Sequence, residues 1–87
     1  MSGVQPPDYA VGRMLRPPDL PRACRRFGRR VATLRASRRL TQQQIAERSG
    51  LDYKYVQRIE GGRVNVSLAT IVRLAKALRV KASALLT

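Results

Sequence analysis

Lys54 and Arg58 are the residues in this chain whose types and spacing most clearly suggest a chemistry. They stand four apart, which on a helix puts both on one face, and both end in hydrogen-bond donors. An ammonium or a guanidinium suits guanine N7 and O6, or a phosphate oxygen. Tyr53, just ahead of them, adds a ring and a phenol that fit a base edge or a thymine methyl. Val56 and Ile59, three apart, fall on the other side and supply the apolar face that seats such a helix. The plainer reading of the same residues is a solvated polar face in a small helical bundle.

Other chemistries have little to work with. The 87 residues include no His, one Cys and five acids, and no glycine-rich loop of the kind that cradles phosphates. A single thiol, Cys24, closes no internal disulfide, and a zinc site takes several ligands. These counts point away from an enzyme and predict no metal and no cofactor. The net charge is +13 and the isoelectric point about 11.7, with Arg far outnumbering Lys. Such basicity points to a polyanion, nucleic acid first and an anionic membrane surface second. No apolar run approaches the roughly 20 residues that span a bilayer, and the N-terminus lacks the apolar core of a signal peptide. The expected location is therefore the cytoplasm, at the nucleoid, with no membrane partner.

A reading face of this kind needs a second element to hold it, and residues 41–60 contain one. Ile45 and Ala46 are the apolar residues of a short first segment, and Ala46 is small where two helices would cross. Ser49, Gly50 and Leu51 read as a tight turn, because glycine accepts the positive φ that side chains resist. Thr41 followed by Gln44 is a capping-box pattern, and Asp52 suits the N-cap of the second segment. Two helices joined this way form a helix-turn-helix, which sets its second helix in the DNA major groove.

The flanks fit a compact helical domain over residues 21–87, with residues 1–20 as an arm. The prolines of that arm remove amide donors and disfavour helix, so it is expected to be extended and largely disordered. Arg13 and Arg16 give it a possible use on phosphates or in a minor groove; Met14 marks an alternative start. The first helix is expected to begin near Pro21, capped by Asp19, with Cys24, Phe27, Val31 and Leu34 as its apolar stripe. On that stripe Cys24 reads as a small buried hydrophobe. Gly28 inside the helix costs about 1 kcal/mol relative to Ala. Arg22, Arg25, Arg26, Arg29, Arg30, Arg38 and Arg39 surround the stripe, with no acid among residues 20–40. Gly61-Gly62 ends the third helix. Ser67 caps a fourth, whose Leu68, Ile71, Leu74, Ala75 and Leu78 make an apolar face. Residues 81–86 read as a short fifth helix, with Leu85 closing the core and Leu86, together with Val80 or Val72, free for a two-fold contact. No effector-binding or protease-like domain is expected after Thr87.

Residues 27–86 resemble the Cro/repressor-type helix-turn-helix family (Xre-like regulators). The resemblance rests on Leu40-Thr41-Gln42, Ile45-Ala46, Ser49-Gly50-Leu51, Val56, Ile59-Glu60 and Gly62, then Asn65-Val66-Ser67-Leu68 and Leu74-Ala75-Lys76-Ala77-Leu78. It implies an all-α, five-helix, lambda-repressor-like DNA-binding domain. It also implies a pair between Arg35 and Glu60, tying the first helix to the third. Gln42 is implied to contact phosphate and to brace Tyr53, and Arg63 and Asn65 to lie along the DNA backbone. Relatives commonly carry proline where Val66 stands and glycine where Arg79 stands, so the turns there depart from the pattern.

Together these observations predict a sequence-specific double-stranded DNA-binding transcriptional regulator, a dimeric repressor. Tyr53, Lys54 and Arg58 are the expected base contacts; Gln42, Arg63, Asn65, Arg38 and Arg39 the expected phosphate contacts. Two alternatives stand beside it. One is an antitoxin-type protein that also binds a toxin partner, and the other a packaging protein driven by charge alone.

Overall fold

The computed structural model describes residues 19–87, and within them the chain is helical without strands. The helices are α1 (Asp19–Ser37), α2 (Gln42–Ser49), α3 (Tyr53–Glu60) and α4 (Leu68–Leu78), followed by a one-turn 3-10 helix (Ala82–Leu85). The fifth element is thus tighter than an α-helix: Ala84 donates to Lys81 and Leu86 to Ser83, both across three residues. The arm, with Arg13, Met14 and Arg16, lies outside the described residues. Residues 19 and 20, read as its end, are in the first turn of α1, so Asp19 is within the helix and not ahead of it. No described helix is long and apolar enough to cross a membrane.

Local chemistry starts each of the three later α-helices. The Thr41 hydroxyl accepts from Gln44 N at 3.0 Å and the Gln44 carboxamide accepts from Thr41 N at 2.8 Å, completing a capping box. Asp52 accepts from Lys54 N and Ser67 from Thr70 N; caps of this kind contribute about 1 kcal/mol each. The ends are alike as well. After α1, α2, α3 and α4 the residue that closes the helix is left-handed: Arg39, Gly50, Gly62 and Arg79, with φ between 56° and 72°. Each closure pairs a bond across five residues with one across three, as Leu51 N to Ala46 O and Gly50 N to Glu47 O show. Arg79 adopts this conformation without glycine's freedom, so the closing bonds carry the cost of its side chain there.

Phe27, Val31, Ile45, Val56, Ile59, Leu74, Leu78 and Leu85 form the core, and α3 is held between α1 and α2 at one end of it. Gly28 explains how closely α1 and α3 approach. A methyl group there would stand 2.3 Å from the Ile59 carbonyl oxygen and 2.8 Å from that of Glu60. The glycine that helix propensity marks as a defect is the site where α1 touches the C-terminal backbone of α3. On the same α1 face, the Arg25 backbone sits against Gly62.

Two expectations about burial are corrected. Cys24 is only partly buried and stays outside the core, because the stripe rotates toward the surface near the start of α1. Leu68 is 72% exposed. It occupies the first position of α4, a turn ahead of where that helix meets the rest of the core.

Candidate nucleic-acid interface

The exposed side of α3 is polar along its length. Val56 and Ile59 are buried beneath it, while Tyr53, Lys54, Gln57 and Arg58 face out. Lys54 and Arg58 share a shallow concavity with Gln57, Gly61 and Arg63. Tyr53 turns toward a neighbouring concavity with Arg35, Thr41, Gln42 and Gln43. The two together make a continuous run of donors from the start of α2, across α3, to the loop after it. Asn65 stands further along that loop, with Arg63, Val64 and the first turn of α1. Arg38 and Arg39 are exposed in the turn after α1 and line neither concavity; among the described residues the Arg38 side chain is held only by the Ser37 hydroxyl, at 3.2 Å.

Behind this surface lies one ion pair. Arg35 Nε donates to Glu60 Oε2 at 2.7 Å and Arg35 Nη2 donates to Glu60 Oε1 at 3.0 Å, a two-point contact between α1 and the last residue of α3. Arg35 Nη1 also donates to the Leu40 carbonyl at 2.8 Å, so the guanidinium ties α1, the next turn and α3 together. The Glu60 side chain is 7% exposed and that of Arg35 19%. The bond to Glu60 raises the Arg35 guanidinium above its ordinary value, against the desolvation that lowers it. Arg35 therefore stays charged at any pH at which the domain works.

One expectation for Gln42, the brace on Tyr53, is corrected. Its Nε2 donates to Glu60 Oε1 at 2.9 Å, and the phenol of Tyr53 instead receives its bond from Gln57 Nε2 at 3.1 Å. The physical reason is the acceptor: a shielded carboxylate attracts an amide more strongly than a phenol does. Arg30 leaves the set of free arginines, because its Nε donates to the Ala84 carbonyl at 2.8 Å and clamps the 3-10 helix to α1. Gln57 is the residue the sequence reading missed. Its spacing of four from Tyr53 was the available signal, since i and i+4 are neighbours on a helix.

Residues 26–86 match the family described as "Helix-turn-helix domain". The chain belongs to that family, among its Xre-like DNA-binding transcriptional regulators. The helix-turn-helix domain is 41% identical over 58 residues to the immunity repressor protein of Bacillus phage phi105, covering 67% of this chain and 40% of the repressor. It thus spans about two fifths of that relative's length. It is also 42% identical over 57 residues to control protein C.SmaI of Serratia marcescens, covering 66% of this chain and 68% of that one. Among solved structures, the restriction-modification controller protein C.AhdI from Aeromonas hydrophila superposes with a TM-score of 0.70 at 42% identity, covering 71% of this chain and 94% of that one. The hypothetical transcription factor NHTF from Neisseria gives 0.72 at 31% identity, with 75% of each chain covered. Among the described residues, no three His, Cys, Asp or Glu side chains gather as a metal site.

Proposed function

We propose that this regulator binds a specific duplex DNA site as a homodimer and represses transcription there. The observation that carries the reading is the joint exposure of Lys54 and Arg58 with Arg63 in one concavity on α3, backed by the Arg35–Glu60 pair. Tyr53, Lys54 and Arg58 read base edges. Arg63, Asn65, Arg38 and Arg39 hold phosphates, and α2 offers its first-turn amides, Gln42 among them, to another. Gln42 acts mainly as a brace through Glu60. The protein works in the cytoplasm, at the nucleoid, and catalyses nothing. Support for a role in gene control comes from relatives that carry the words repressor and controller in their names.

Selection of bound sequences from a random duplex pool, at near-physiological salt, tests the reading. A pseudo-palindromic site should emerge, its half-sites about one helical turn apart. Arg58→Ala should then cost about 1–3 kcal/mol on that site and relax preference at one base position. Equal losses on selected and scrambled duplexes would reduce Arg58 to a phosphate contact. A pool that yields no preferred sequence would leave charge-driven packaging as the function.

A further inference from the structure

Leu68 and Val72 stand one turn apart on α4 and remain uncovered, 72% and 39% exposed. They line an open groove of about 690 Å³ between α4 and the C-terminal end of α2, together with Ala69, Arg48, Arg73 and Lys76. Among the described residues, no carboxylate lines it. Arg73 Nη1 makes a long contact of 3.4 Å to the Ser49 carbonyl, and neither Arg48 nor Lys76 has an ion-pair partner among the described residues. The groove shares no residue with either concavity of the reading surface.

We propose that this groove docks a partner protein through a short amphipathic helix, with aliphatic residues at i and i+4 flanked by carboxylates. An apolar floor between two helices is the shape into which such a helix lays its face. The rim fixes the sign of the partner's charge. A second copy placed across a two-fold axis would set Arg48, Arg73 and Lys76 against arginines and lysines of their own kind, which repel. DNA phosphates would satisfy the rim and leave Leu68 and Val72 with nothing apolar to cover them. A lipid surface takes a convex apolar face, whereas Leu68 and Val72 line an open groove bounded by α2 and α4. An acidic amphipathic helix answers floor and rim together. Because groove and reading surface share no residue, docking stands or falls independently of operator binding.

The test uses the full chain, 15N-labelled, at about 150 mM salt. The probe is a synthetic helical peptide of about 16 residues with Leu at two positions four apart and Glu beside them; its scrambled sequence is the control. Backbone amide shifts should concentrate at Arg48, Ala69, Val72 and Lys76. Leu68→Ser combined with Val72→Ser should weaken binding about tenfold or more, as burial of even one aliphatic side chain is worth that much. Both positions are exposed, so the variant's thermal transition should match the parent's. Arg48→Glu with Lys76→Glu should lose the acidic peptide and bind its Lys-substituted version instead. Equal shifts from the scrambled peptide, or shifts centred on the α1 arginines or on α3, would reduce the effect to bulk charge and overturn the proposal. So would displacement of the peptide by random duplex DNA. Concentration-dependent self-association, or binding to phosphatidylserine vesicles, abolished by the Leu68→Ser, Val72→Ser variant would assign the groove to a second copy or to a membrane.

Discussion

Replacing Gly28 with Ala sets two physical rules against each other, and the structure decides the sign. In an exposed helix interior the change stabilises by about 1 kcal/mol, since glycine loses more backbone freedom on folding. Here the added methyl would meet the Ile59 carbonyl oxygen at 2.3 Å. Restoring an ordinary contact of 3.4 Å requires α1 and α3 to part by about 1.1 Å, the difference of the two distances. The obstacle is backbone at a closed helix end, so no side chain can rotate out of the way. Overpacking of this kind costs about 1–3 kcal/mol and occasionally more. The same separation strains the 2.7 Å bond between Arg35 and Glu60, which spans these two helices. We expect a net loss of about 2 kcal/mol, or a fall in Tm of roughly 8–16 °C for a domain of this size. DNA affinity should fall as well, because α3 tilts away from its support. Thermal and urea melts of the full chain, with duplex binding measured in parallel, provide the check. A variant that melts at or above the parent would show that helix propensity wins and that the α1–α3 approach is not rigid.

Arg35→Ala should cost roughly 3–5 kcal/mol, because Glu60 stays shielded without its partner. A double-mutant cycle with Glu60→Gln should give a coupling of about 1–3 kcal/mol, and a coupling near zero would undo the bracing argument. The pH dependence has a definite sign: a raised guanidinium contributes stability that is complete below its unfolded value and lost only as pH climbs through the folded one. The stability gap between parent and Arg35→Ala should therefore be constant from about pH 6 to about pH 9 by denaturant titration, and a gap that closes would show that Arg35 is not the source. Arg79→Gly should stabilise by up to about 1 kcal/mol, since φ of 57° is strained for a side chain. A thermal melt measures it, and a loss would mean that the Arg79 side chain makes a contact worth more than the strain.

What the sequence determined by itself is what nearest neighbours along the chain control. Thr41 with Gln44, Asp52 and Ser67 are helix starts because a short polar side chain reaches amides two or three residues on, whatever surrounds it. Gly50 closes α2 for an equally local reason. The alternation of Val56 and Ile59 with Lys54 and Arg58 fixes which side of α3 is wet, by helical period alone. Composition pointed to a polyanion partner, and the order of motifs supplied the family. Distances between elements are another matter. Gly28 looks like a weak point in α1 until Ile59 and Glu60, more than thirty residues on, are seen to need the space. The sequence pointed the Gln42 carboxamide at a phosphate and at Tyr53, and only the packing of α3 against α1 and α2 brought Glu60 within its reach. The helical period assigns Leu68 to the inner face of α4, yet that helix meets the core only a turn later and leaves Leu68 open beside Val72. Periodicity reports the direction in which a side chain points; whether anything stands there to meet it depends on contacts far apart in sequence, and those exist only once the helices have packed.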